Sequence, residues 1–346
     1  GDGKFVAVAD SGTNDRVMYS TDGINWTSAS QAGSTNWWWR ITYGNGKFVA
    51  VAWNGTNRVM YSTDAINWTS ATAAEDSNQW TDITYGDGKF VAVAASGTNR
   101  VMYSTDAINW TSASATEANT WTSVAYGNGK WVAVSEDGTG DRVMYSTVDG
   151  FTTKPLTLKM GGSNTPPDNW TAISGIEESG WRGICYGNGK FVATSLTGTN
   201  RVTYSTDGIN WTAASASEAH YWYSVVYGNG KYVAVGHINY SNDVDRVMYS
   251  TNGINWTTAN ATYNHSWVSV CYGNGYFVAV ADDDWNGGSN ANKRVMYSTD
   301  GINWTAGPIV SGNTWKSVCY GNGKFVAVAS GGSQRVMYAS DSNLGS

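Results

Sequence analysis

Charge is scarce in this 346-residue chain: Asp, Glu, Lys and Arg make up 14% of it, against roughly a quarter in typical globular proteins. The net charge is −6 with no basic run, so the electrostatic footprint of a nucleic-acid binder is missing. No apolar stretch approaches the roughly 18 residues of a membrane-spanning helix, which argues against membrane insertion. Three cysteines, Cys185, Cys271 and Cys319, are too few and odd in number for a disulfide framework. Each precedes the Tyr of a Trp-x-x-hydrophobic-x-Tyr segment, where other copies carry Thr42, Thr84, Ala125 or Val226, so a small packed residue explains them. No signal-peptide pattern is legible in these residues. The chain opens inside a repeat, so the natural N-terminus is expected to lie elsewhere and targeting is not legible.

Gly, Ser, Thr, Asn, Trp and Tyr fill the space that charge leaves. They are arranged in a phrase of about 42 residues that recurs along the whole chain. One copy reads Trp80-Thr-Asp-Ile-Thr-Tyr85, Gly86-Asp-Gly88, Lys89-Phe-Val-Ala-Val93, a Gly-Thr-Asn loop, Arg100-Val-Met-Tyr-Ser104, Thr-Asp-Ala, and Ile108-Asn-Trp-Thr111. Strand a is the Trp-x-x-Ile-x-Tyr segment, and in the second copy period-two alternation puts Trp39, Ile41 and Tyr43 on one face. Gly44-Asn45-Gly46 is a hairpin turn, because Asn and Gly tolerate positive φ. Strand b, Phe48-Val-Ala-Val-Ala52, is apolar on both faces and so needs cover on both. Strands c (Arg58 to Ser62) and d (Ile66 to Thr69) follow.

Four short antiparallel strands covered by equivalent neighbours describe an all-β protein, a β-propeller of four-stranded blades. A β-helix would lack the two-residue hairpins. Strands b and c occur eight times, beginning near Lys4, Lys47, Lys89, Lys130, Lys190, Lys231, Tyr276 and Lys324, while strands a and d each occur seven times. Eight blades fit this count. Seven is the alternative, at the cost of a surplus hairpin with open edges. The reading is one propeller domain over 1–346, with a blade insertion at 148–169.

The c–d turn, Ser20-Thr21-Asp22-Gly23-Ile24-Asn25-Trp26, resembles the Asp-box of bacterial neuraminidase-type repeats, Ser-x-Asp-x-Gly-x-Thr-Trp, shortened here by one residue. It recurs with Asp64, Asp106, Asp207 and Asp300, with Asn252 for Asp in one copy. The resemblance implies a propeller in which these aspartates bond their own turn and the Trp packs between blades. It implies no activity, since Asp-boxes also occur in non-enzymatic propellers. The whole phrase is also similar to repeats of phage and environmental bacterial surface proteins, which implies an extracellular, cell-surface or virion setting.

Antiparallel order puts the uniform a–b and c–d turns on one side of the disc and the variable b–c loops and d–a links on the other. Binding chemistry is expected on the variable side. It holds all three histidines, His220, His237 and His265, all six glutamates (Glu75, Glu117, Glu136, Glu177, Glu178 and Glu218), and the aromatics Trp37, Trp38, Trp53, Tyr221, Tyr240, Tyr263 and Trp285. Aromatic faces beside amides and carboxylates suit sugar rings. The run Asp282-Asp283-Asp284 in a Gly-rich loop offers hard oxygen ligands for Ca²⁺; a solvated acidic loop is the alternative, and no other cofactor is expected.

Catalysis is not expected from these residues. Outside the repeated positions the arginines are Arg40 and Arg182, in distant blades, and no nucleophile elbow, phosphate loop or paired acid of set separation is visible. The chain therefore reads as a non-enzymatic recognition module for a glycan or surface receptor. A scaffold docking to other protein subunits is the alternative, and a sialidase-like glycosidase ranks below both.

Overall fold

The computed structural model describes all residues except 13–15, 31, 33–34, 139–140, 148–169, 174–175, 178, 238–245, 264, 283–292, 308–312, 332–334 and 341–346; the 148–169 insertion thus lies outside the described residues. Local chemistry sets each hairpin. In the a–b turns both central residues take positive φ, 46° and 72° at Asn45 and Gly46, 41° and 75° at Asp87 and Gly88. That is the turn whose twist matches the strands it joins. In the c–d turn of blade 2, Asp64 Oδ1 accepts hydrogen bonds from the backbone N–H groups of Ile66 and Asn67, both at 2.8 Å, and Oδ2 accepts one from Asn67 Nδ2 at 2.9 Å. Asp22, Asp106, Asp207 and Asp300 bond their own turns in the same way.

Among the described residues, six four-stranded and two three-stranded antiparallel sheets result, an all-β propeller of eight blades. Blade 3 shows the complete unit: Trp80–Gly86, Lys89–Ala94, Val101–Ser104 and Thr111–Ala113. Blade 1 starts at strand b, Phe5–Val8, and blade 8 is described as far as strand c, Val336–Ser340. The ring closes between them. Asn322 Nδ2 donates to Thr21 O at 3.1 Å, the bond that Asn128 makes to Thr206 between blades 4 and 5. Eight blades therefore hold, and the seven-bladed alternative falls away.

Strand b is apolar on both faces because each face meets a different blade. Val49, Val51 and Val59 of blade 2 pack on Trp80, Ile83, Phe90 and Ala92 of blade 3. The strand-a tryptophans Trp80, Trp121, Trp181, Trp222, Trp267 and Trp315 are almost wholly buried, each removing apolar area worth on the order of 5 kcal/mol in transfer free energy. In blade 2 the tryptophan of this kind is Trp38, 1% exposed, while Trp39 is 36% exposed. Strict alternation, which groups Trp39 with Ile41 and Tyr43 on one face, fails because a bulge separates Trp38, opposite Ala52, from Arg40, opposite Val51. The extra residue turns Trp39 out and Trp38 in.

Candidate functional site at the mouth of the central channel

The inner strands stand around the axis, so side chains near their starts meet at one mouth of the channel, on the side of the b–c loops and d–a links. Five successive blades contribute to an arc there. Glu136 follows strand b of blade 4, and its Oε2 lies 3.1 Å from Arg182 Nη1 on strand a of blade 5. The Arg182 guanidinium lies 5.5 Å from the ring centre of Tyr223 in blade 6, and that ring lies 5.3 Å from His237 at the end of blade 6's strand b. His237 Nε2 is 3.6 Å from Asp282 Oδ1 in blade 7, whose Oδ2 lies 3.2 Å from Lys316 Nζ in blade 8.

A second arc is aromatic. Trp39 and Trp53 of blade 2 lie 5.5 Å apart, Arg40 sits 5.9 Å from the Trp39 ring, and Trp37 is 45% exposed. Arg40 Nε is 3.9 Å from Asp82 Oδ1 in blade 3. Asp82 Oδ2 also accepts from Ser123 Oγ at 2.9 Å and Val124 N at 3.0 Å in blade 4. Burial first and then the like charge of Arg182 pull Arg40 below its ordinary range, with Asp82 acting the other way; the Arg40 side chain is 49% exposed. The two arginines thus come from distant blades yet face one opening.

Burial pushes all three acids of this mouth upward, but their partners decide the outcome. It lifts Asp82 above the ordinary carboxylate range, against Arg40 and its hydrogen bonds. At Asp282 burial also pushes upward, but the bond with His237 and the charge of Lys316 win, and the carboxyl sits below that range. Tyr223 is raised, by burial first, with Arg182 pulling the other way. The outcome is a mouth of paired ions: Arg40 with Asp82, Arg182 with Glu136, Lys316 with Asp282.

The sequence-derived candidates divide. Trp37, Trp53 and His237 belong to the mouth. Trp38 is a packed inter-blade residue, as above. His220 and His265 are each 2% exposed and lie edge-on to Trp222 and Trp267 at 5.6 Å. They fill a slot two residues before the Trp that other blades fill with Asn36, Asn78, Asn119 or Asn313, all buried, so they line the wall and present nothing to solvent. The backbone there is clamped by the strand-c arginine of the preceding blade: Arg100 Nη1 donates to Asn119 O at 2.7 Å and Arg201 Nη1 to His220 O at 2.6 Å. Tyr221 lies 5.9 Å from the Arg201 guanidinium and Tyr263 lies 4.8 Å from Lys293 Nζ, both at the rim. Tyr240, Asp283, Asp284 and Trp285 lie outside the described residues. Asp282 is engaged by His237 and Lys316, and among the described residues no three His, Cys, Asp or Glu side chains converge as a metal site.

Arg40, Asp82, Arg182, Tyr223 and Lys316 were missed as members of one site. Their signal was present: they replace small residues such as Ser123 or Thr122 just after the inner-strand Trp. Loop variation is the more conspicuous signal in the repeat, whereas this part of the variation lies on a strand.

No protein-family description and no curated protein matches the chain. Solved structures share its fold. A catalytically inactive variant of virginiamycin B lyase from Staphylococcus aureus, with quinupristin, is 13% identical over 94% of this chain and 96% of that one, with a TM-score of 0.65. YCF48 bound to D1 peptide is 13% identical over 97% and 98%, with a TM-score of 0.60. The computationally designed Ika8 protein is 12% identical over 96% and 95%, with a TM-score of 0.62. At such identities the likeness is one of fold alone. It corrects one expectation: the chain cannot be set down as a non-enzyme, because a lyase is built on this architecture. A missing nucleophile elbow or acid pair says little where the fold itself hosts catalysis. No activity is thereby established for this chain.

Proposed function

We propose that this propeller recognises a neutral, polyhydroxylated ligand, a glycan, across the mouth on its variable side. One observation carries the reading: three cations and three carboxylates are paired with one another on the face where Trp37 and Trp39 are exposed and Trp53 is half-buried against Trp39. Paired ions leave little net field to hold an anion, but they present alternating donors and acceptors to hydroxyl groups, and indole faces stack on the apolar side of a sugar ring. An extracellular, cell-surface or virion location accords with the resemblance of the repeat, including its Asp-box-like turn, and Ca²⁺ at the Asp282–Asp284 loop belongs to the same proposal. Glycan-array binding should fall at least about tenfold in Trp53→Ala and in Arg182→Ala, with both variants melting near wild type. An array without signal, or variants that bind as the parent does, would sink the glycan reading.

A second reading, a polypeptide partner at the same face, is favoured by the propeller YCF48 in its complex with D1 peptide. It predicts capture of a protein partner that Trp53→Ala abolishes, with a silent glycan array. Loss of that capture on deleting residues 148–169 would instead assign the contact to the insertion.

A further inference from the structure

One pentapeptide, Tyr-Gly-Asn-Gly-Lys, stands unchanged at residues 43–47, 126–130, 186–190, 227–231 and 320–324. Each copy ends strand a and begins strand b, so these a–b turns share one local sequence. They also share one backbone. Asn45, Asn128, Asn188, Asn229 and Asn322 take φ of 43° to 46°, and the glycine after each takes 71° to 75°. All of these turn residues are exposed. An asparagine followed by glycine is chemically vulnerable, because a residue without Cβ lets its backbone nitrogen approach the preceding side-chain amide.

Tertiary contacts separate the copies. Asn45 Nδ2 donates to Thr105 O in the next blade's c–d turn at 3.4 Å. Asn128, Asn229 and Asn322 donate likewise to Thr206 O, Thr299 O and Thr21 O, each at 3.1 Å. Such an amide must break its inter-blade bond before it can turn onto its own backbone. Asn188 is the exception. Among the described residues its side-chain amide has no hydrogen-bond partner, and neither has the N–H of Gly189. The neighbouring turn, in blade 6, is the one in which Asn252 stands for the box aspartate. Asn252 also precedes a glycine, but that pair is held from both ends. Asn252 Oδ1 accepts from Ile254 N and Asn255 N at 2.9 Å, and Gly253 N donates to Ser250 Oγ at 2.8 Å.

We propose that Asn188 is a site of spontaneous deamidation, the one of these matched turns that the fold leaves open to covalent modification by water. The Gly189 nitrogen, its proton taken by hydroxide, attacks Asn188 Cγ. The Cγ–Nδ2 bond breaks, the departing nitrogen takes a proton from water and leaves as ammonia, and a succinimide closes. Water then opens the ring. Attack at the side-chain carbonyl gives aspartate; attack at the main-chain carbonyl gives isoaspartate, which lengthens the backbone by one methylene. The fold accepts the first product, since Asp87 holds this place in blade 3 with φ of 41°, followed by Gly88 at 75°. The second product does not fit a two-residue turn that must join Gly187 to its partner Lys190. The site lies on the uniform face and is independent of the ligand at the channel mouth.

The test ages the folded 346-residue chain at mildly alkaline pH and follows the turns by tryptic peptide mapping. Cleavage after Arg and Lys releases residues 41–47, 183–190 and 317–324 as separate peptides, each ending in the same Tyr-Gly-Asn-Gly-Lys. Asn188 should convert about fivefold faster than Asn322, the ratio to which one ordinary hydrogen bond corresponds. Asn45, with the longest of the inter-blade bonds, should fall between them. In urea the three rates should merge, because the local sequence is the same. Isoaspartyl methyltransferase should label the aged 183–190 peptide, and Asn188→Asp should abolish that label while melting near the wild type. Equal rates in the folded chain, or no conversion at Asn188, overturn the proposal. So does a difference that persists in urea, since it would then belong to flanking residues and not to the fold.

Discussion

Blade 3 is described with all four strands of the phrase, blade 1 from strand b onward. In blade 3 every strand has its partner, and Trp80, Phe90, Val91, Val93, Val101 and Met102 are buried to 2% exposure or less. In blade 1 the b–c hairpin keeps its turn and its pairing, with Phe5 opposite Ser20, but Ala7 and Phe5 leave 8% and 7% exposed and Val6 and Val8 are only half-buried. The difference teaches which interactions are local. Turns form wherever the turn residues stand; burial follows only when the neighbouring strand is in place.

Three substitutions sharpen that contrast. The largest effect belongs to a complete junction: Trp121→Ala, which removes a fully buried indole, should cost about 3–5 kcal/mol, read as a loss of midpoint in urea unfolding. A smaller but more diagnostic pair compares glycines. Gly86→Ala drives a Cβ to 2.4 Å from the Tyr126 ring and should destabilise by about 1–3 kcal/mol. Gly321→Ala meets only Phe5 at 3.3 Å and should stay within about 0.5 kcal/mol of the parent. Equal effects in thermal melts would mean that the blade 1 junction is as closed as the others.

The smallest effect concerns the c–d turn. Backbone and side-chain hydrogen bonds from Asn67 hold Asp64 well below the usual carboxylate range. Its folded pKa is depressed, so its contribution is present above the unfolded value of about 3.9 and is lost as pH falls through the folded one. Asp64→Asn should therefore be slightly less stable than the parent at neutral pH, and the gap should narrow in melts taken below about pH 4. Blade 6 supplies the natural precedent, where Asn252 Oδ1 accepts from Ile254 N and Asn255 N at 2.9 Å. A gap independent of pH would show that the turn stabilises through geometry rather than charge.

Blade number, strand order and the division into a uniform and a variable face were all legible, because each rests on short-range chemistry repeated eight times. Two matters were not. The inward Trp of blade 2 was placed one residue late, since alternation has no sign for a bulge; matching the Trp-to-Tyr spacing of Trp80 and Tyr85 would have selected Trp38. The candidate site was only half visible. His220 and His265 are conspicuous in the sequence yet occupy the wall slot of Asn78 and Asn119, while Arg182, Tyr223 and Lys316 sit in ordinary strands and looked far apart.

What the amino-acid sequence determined by itself is the blade. Its Asn-Gly and Asp-centred turns, its two-faced apolar strand and its period need no knowledge of distant contacts. What only the tertiary structure decided is which departures from the phrase meet. Closing eight blades on one axis brings Glu136, Arg182, Tyr223, His237, Asp282 and Lys316 into one arc. That meeting depends on the angle through which successive sheets pack, a sum over all blades that no single copy of the repeat encodes.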